Sequence, residues 1–319
     1  MKYNITIGEY RVNTLKSVSV KKSVEQLSDT AIITLPGTLL NHPLEVNDKI
    51  KTGDPVRIEL GYDGNMNEEF TGYVKRIKTD DTEITIECED ELYLWDVGVK
   101  DKQYGSKTAP VSLKTILQEL VKQVNPKYKV ECDYSFNYQA FTFSKATALD
   151  VLRKIQDETK ADIYFKGTTL HVHPLYSNGS WSGNTVKYDL AKNVVSASLQ
   201  YKKASDQKLK VEIEYKTPKG ETKKESIGVD GGKVIKKVIN TSDVGSLQKV
   251  AESEYNLWCY DGYEGDLTGW LIPFCQPTDK VEIIDKSKQY KNGTYYVIAT
   301  DVSFSESGGR RKVTIGRKV

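Results

Sequence analysis

Gly265 to Arg317 read GDLTGWLIPFCQPTDKVEIIDKSKQYKNGTYYVIATDVSFSESGGRRKVTIGR. Three β-type runs stand out, Lys280 to Ile284, Thr294 to Ser305 and Arg311 to Gly316. Val281 and Ile283 alternate with polar neighbours, as do Val313 and Ile315, which is the period of a half-buried strand. Glu306-Ser307-Gly308-Gly309 supplies the permissive backbone of a hairpin turn. The middle run is dense in Tyr, Val, Ile and Phe, the bias of a sheet.

Working outward, the same plan recurs near the N-terminus. Gly53-Asp54-Pro55 opens the strand Val56 to Leu60, and a turn with Gly61 and Gly64 follows. Then come Glu69 to Ile77, the turn Asp80-Asp81, and Glu83 to Glu89. Asp279 and Val281 to Ile284 parallel Asp54 and Val56 to Leu60. Tyr295 to Val302 parallel Gly72 to Ile77, and Arg311 to Gly316 parallel Glu83 to Glu89. The leading Asp, the turn positions and the order agree, so the expectation is an internal duplication.

The rest of the chain fills in around these copies. Tyr3, Ile5 and Ile7, then Val18 and Val20, alternate as strands, and Glu25 to Leu35 ends in an apolar strand before Pro36-Gly37. Leu92 to Trp95 closes this first antiparallel β domain. Ser112 to Val124 has Leu113, Ile116, Leu117, Leu120 and Val124 on one stripe, with Ser112 as N-cap and Asn125-Pro126 as stop. A second helix is expected from about Thr147 to Thr159, then a hairpin from Asp162 to Val172, ending an α/β unit near Pro174. From Trp181 to Leu199 the pattern is β again. A further hairpin puts Leu209, Val211, Ile213 and Tyr215 on one face and turns at Pro218-Lys219-Gly220. Ser246 to Leu257 returns to helical spacing.

Composition excludes more than it nominates. The 319 residues suffice for two or three cored domains. A net charge of +2 from 46 basic and 44 acidic residues gives no field that favours nucleic acid or an anionic membrane. No apolar run approaches the ~20 residues of a membrane span, and the N-terminus lacks a signal pattern. Cys88, Cys132, Cys259 and Cys275 are far apart, without metal-type pairing, as expected of reduced thiols in a cytoplasmic protein. His171 and His173 would project from one strand face, two corners of a zinc site, but His42 is remote and no Glu follows at metalloprotease spacing. A strand end is the better reading. Nothing nominates Cys88 or Cys275 as a nucleophile. Asp80-Asp81 and Glu89-Asp90 read as solvated turn acids, and Gly228 to Gly232 as a turn rather than a phosphate loop. The expectation is therefore no catalytic, cofactor-binding or metal residue, and no enzyme. The 20 tyrosines suggest contact with other proteins.

At this point Phe70-Thr71-Gly72-Tyr73-Val74 after a Gly-Asp-Pro-Val strand resembles the first barrel of the hub proteins of contractile phage tails. That family includes the late control D proteins and the N-terminal part of VgrG spike proteins. SLKTILQEL and TALDVLRKIQDETKADIYFKGTTLHV are similar to the middle of those proteins, and NGTYYVIATDVSFSESGGRRKVTIGRK resembles their second barrel. The resemblance implies a mainly β fold with an α/β insertion. Residues 1–98 would form a first β-barrel, 99–175 the α/β domain, and 176–319 a second β-barrel with a helical excursion near 243–258. It also implies a baseplate hub of a contractile tail or injection system, assembled in the bacterial cytoplasm into a virion or tail-like particle. Such a hub is a homotrimer, a symmetry adaptor between a sixfold tail tube protein and a threefold central spike protein, in contact with other baseplate proteins. The chain stops at Val319, just after the second barrel, so the spike would be a separate protein. The alternative from another class is a tail-associated peptidoglycan hydrolase or glycan-binding module.

Overall fold

The alternating runs form strands, and pairing turns them into one continuous framework. The structure is a computed structural model describing residues 1–39, 42–43, 49–106, 108–174, 183–216, 221–239, 243–289 and 292–319. The turn Pro218-Lys219-Gly220, Trp181 and most of the loop around His42, all read from the sequence, lie outside them. So does the His42 side chain.

The first unit contains β1 (Lys2–Ile7), β2 (Ser17–Ser23), β3 (Thr30–Pro36), β4 (Pro55–Tyr62), β5 (Asn65–Thr79) and β6 (Glu83–Glu89). They lie in the order β1-β4-β5-β6-β3-β2. Ile5, Ile7, Ile33, Ile58 and Ile86 are fully buried between them, as period-2 alternation requires. The insertion holds α1 (Leu113–Val124), β7 (Lys129–Cys132), α2 (Ala148–Thr159), β8 (Asp162–Lys166) and β9 (Thr169–His173). Ser112 caps α1 by accepting from the Thr115 amide. Thr147 and Asp150 form a reciprocal capping box on α2.

The second unit brings β10 (Thr185–Asp189) and β11 (Val194–Lys202), then an excursion of β12 (Leu209–Lys216), β13 (Thr222–Gly228), β14 (Lys233–Ile239) and α3 (Val244–Trp258). It resumes with β15 (Gly262–Gly269), β16 (Lys280–Ile284), β17 (Gly293–Ser305) and β18 (Gly308–Lys318). Its order is β10-β16-β17-β18-β15-β11. Strand for strand, this repeats the first unit's order. Two departures are seen among the described residues: β1 runs antiparallel to β4 whereas β10 runs parallel to β16, and β1 carries on its outer edge a thirteenth strand, the two-residue Tyr10–Arg11, that β10 lacks.

The architecture is mainly β, but neither unit closes into a barrel. The strand that would close the first unit, β2, pairs instead with residues 299–305 of β17, so both units share one 13-stranded sheet. The seam is also apolar, because Leu271, Val302 and Phe304 of the second unit pack into the first unit's core. Leu92 and Trp95, read as closing the first domain, instead join the core around α1 and α2. The faces of β12 and α3 bearing Val211, Ile213, Leu247 and Val250 belong to that same core.

Among the described residues, one ion pair crosses between the units. Glu69 is the extra residue of a β-bulge, since Phe70 pairs with Ile58 while Glu68 pairs with Glu59. The bulge leaves Glu69 and Phe70, adjacent in sequence, both buried. Arg311 of β18 donates to both Glu69 carboxylate oxygens, at 2.6 and 3.2 Å, and each residue is 1% exposed. Its remaining donors reach the Cys275 carbonyl at 2.9 Å and the Leu271 carbonyl at 3.2 Å. Arg311→Leu strands a buried carboxylate, so urea unfolding should show a loss of about 3–5 kcal/mol. Glu69→Leu/Arg311→Leu should lose less than the sum of the two single variants, because neither charge is then left alone. Additive losses would show that the two groups act independently.

Candidate functional site

Most residues with chemical potential are consumed by the fold. His171 and His173 do share a strand face, with His171 Nδ1 3.3 Å from His173 Nε2. His173 Nδ1 lies 2.5 Å from Asp133 Oδ1, and His171 Nδ1 lies 3.2 Å from Glu131 Oε2. Tyr164 stacks on His171. Among the described residues no group of three or more His, Cys, Asp or Glu converges as a metal site. All four cysteines are buried free thiols, and burial raises Cys88 to about 12 and Cys132 to about 11, away from nucleophilic thiolates.

The acid pairs divide. Asp80 and Asp81 are exposed turn residues as read, whereas Glu89 is buried at the end of β6 and Asp90 is desolvated beside it, so the solvated-turn reading fails for that pair. Asp80 accepts from the Thr82 and Glu83 amides, which hold it below its usual range. Asp90 caps the 3-10 turn Glu91–Trp95 and also accepts from the Asp29 amide. Burial raises both Asp90 and Asp29, the latter to about 6. Sequence reading missed this convergence, for nothing near Asp29 announces a partner 61 residues away. Asp29 in turn accepts from the Ser23 amide, so the pair ties loops together. The glycine run Gly228 to Gly232 links β13 to β14 as a turn. Tyrosine abundance also misled in part, because Tyr104, Tyr134, Tyr138, Tyr188, Tyr295 and Tyr296 are buried within the chain.

What the structure offers as a functional feature is the matched pair of units. The Asp54 amide donates to the Lys51 carbonyl at 3.1 Å, its Oδ2 accepts from the Lys51 amide at 2.7 Å, and its carbonyl accepts from Val74 at 2.9 Å. Asp279 repeats all three bonds with Gln276 and Val297, at 3.1, 2.9 and 2.9 Å. The residue before each Asp is left-handed, Gly53 at φ +89 and Thr278 at φ +75. Each aspartate thus folds a turn onto itself and pins it to the long central strand. Each central strand then carries a bulge one residue on, at Lys75 in β5 and at Ile298 in β17.

Burial lowers both His171 and His173 below their ordinary value near 6.5, against the pull of Glu131 and Asp133 and with the help of Lys166 beside His171. Their neutral forms therefore favour folding. That contribution is complete above about 6.5 and is lost as pH falls from there toward the depressed values. Asp29 titrates in the fold near 6 with the opposite sign, so the informative quantity is a difference. Between pH 7 and 5 the wild type should lose more unfolding free energy than His171→Asn/His173→Asn, measured by urea denaturation at each pH. Parallel curves would remove the histidines from the account.

No family model and no curated protein matches the chain. Solved structures do. A tail protein from Neisseria meningitidis MC58 superposes with a TM-score of 0.70 at 13% identity, over 99% of this chain and 97% of that one. The 43 kDa tail protein of prophage MuSo2 from Shewanella oneidensis gives 0.65 at 14% identity, over 99% and 98%. An Escherichia coli type VI secretion component, itself similar to the T4 phage tail proteins gp27 and gp5, gives 0.61 at 7% identity, over 99% and 77%. Over essentially its whole length, this chain has the fold of phage tail proteins and of a type VI secretion component.

Proposed function

We propose that the chain is a structural baseplate hub of a contractile tail or injection system. Three copies form a ring that joins a sixfold tail tube to a threefold central spike. The observation that carries this reading is the duplication, namely two six-stranded units with one strand order and one aspartate turn, fused into a single sheet. A sixfold tube end offers six identical surfaces. A threefold partner meets all of them only by presenting two similar surfaces per subunit. The fold shared with tail proteins supports the same setting, a particle component assembled in the cytoplasm.

In this reading the protein is not an enzyme. Its partners are its own copies, the tube protein, the spike protein and neighbouring baseplate proteins. No helix among the described residues is long and apolar enough to cross a membrane, and the near-balanced charge gives no basis for sequence-specific nucleic-acid contact.

Light scattering of the purified protein at tens of micromolar should give the mass of three chains. Its complex with the tube protein of the same tail should contain two tube subunits per hub chain. A stable monomer that clears peptidoglycan in a zymogram would replace this reading with a cell-wall hydrolase.

A further inference from the structure

The duplication makes a statement about edges. In the second unit, β17 has two halves along one side, residues 293–296 pairing with β16 and residues 299–305 pairing with β2, while β18 lines the other side. In the first unit, β5 pairs with β4 through residues 65–73, and β6 lines its other side through Thr79. Past Tyr73, on the β4 side, β5 meets no strand among the described residues. The slot that β2 fills against β17 is thus open against β5.

The strand equivalent to β2 is β11, and among the described residues it lies at the end of the sheet. β2 pairs with β3 on one side and β17 on the other, whereas among the described residues β11 pairs with β15 alone. Superposing the ladders aligns Ser17-Val18-Ser19-Val20-Lys21 with Ser196-Ala197-Ser198-Leu199-Gln200, two closely similar segments. Their burial differs as their pairing does. Val18 and Val20 are each 1% exposed, but Ala197 is exposed, Leu199 only half-buried, and Val195 50% exposed. A nine-residue strand paired to a neighbouring strand on one side only among the described residues, and carrying exposed apolar side chains, is a template for another strand.

We propose that β11 of one copy adds antiparallel to Arg76–Thr79 of β5 in the next copy, as β2 adds to β17 within the chain. The inference rests on the ring reading above and specifies its seam. The internal seam runs from second unit to first, and the external one runs from first unit to the second unit of a neighbour. That contact is heterologous, and repeated, it closes a ring. Transferring the internal register, Thr300–Lys22, Asp301–Lys21 and Val302–Val20 become Ile77–Tyr201, Lys78–Gln200 and Thr79–Leu199. Ile77 and Tyr201, each half-buried in one chain, then cover one another. Arg76 and Lys202 come opposite, and each has a carboxylate of its own, Glu87 and Glu264.

Directly opposed residues bring their Cβ atoms to about 4.5–5.5 Å, close to disulfide range after small adjustment. Lys78→Cys/Gln200→Cys in the full chain should therefore oxidise to covalent species of up to three chains on a non-reducing gel. The four native cysteines are buried and stay out of the reaction. Lys21→Cys/Asp301→Cys is the internal control and should close within one chain, without a change in mass. If the protein is a trimer, the control closes, and Lys78→Cys/Gln200→Cys stays reduced, the seam is wrong and the ring reading survives. A monomer in light scattering overturns both. Dimers formed by Gln200→Cys alone would mean that two β11 edges face each other, which also overturns the seam.

Discussion

Everything in this molecule depends on holding two β units in one fixed relation, and the buried Glu69–Arg311 pair is where that relation is fixed. Two charges taken fully out of water are costly unless the geometry is close and the remaining donors are used. Here Arg311 spends its donors on both carboxylate oxygens and two carbonyls, and its guanidinium carbon sits 4.9 Å from the Phe274 ring centre. Such a pair tolerates little sliding. It specifies a single register for a seam that backbone bonds alone would allow to slip by two residues. A bidentate arginine suits this role because its planar fork fixes direction as well as distance.

Much of the framework was legible. Runs with period 2 became strands, stripes with period 3.6 became helices, and Ser112, Thr147 and the turn after Phe165 behave as their local chemistry dictates. The parallels Asp54 with Asp279 and Gly72 with Tyr295 fall on equivalent places in the ladders. Pairing between distant strands was not legible. Closure of each unit looked natural because a six-stranded set with buried alternation suits a barrel, and nothing in Ser17–Ser23 says which edge it will meet. The segment 196–200 was the available signal, since SASLQ keeps both serines of SVSVK at 17–21 and places apolar residues at the same two positions. Glu69 was illegible for a related reason, because a bulge reveals itself only against a partner strand.

The candidate chemistry was legible in part. The strand face shared by His171 and His173 follows from spacing alone, but the carboxylates beside them, Glu131 within β7 and Asp133 just after it, are brought alongside only by the parallel pairing of β7 with β9. Asp29 and Asp90 meet because β3 pairs with β6, and their desolvation is a property of that packed junction.

The parts that are not duplicated carry the remaining logic. The excursion between β11 and β15 has no counterpart between β2 and β3, where a short turn suffices. It packs on the insertion's core, and is tied to it by the Asn137 amide to Ser246 Oγ at 3.0 Å and Lys249 Nζ to the Ser135 carbonyl at 2.9 Å. Insertion and excursion thus form one α/β body per chain, against two β units per chain. A ring of three such chains would present its β framework six times and its α/β body three times. One sequence would then supply both symmetries, with the repeated framework and the unrepeated body held in register by the shared sheet.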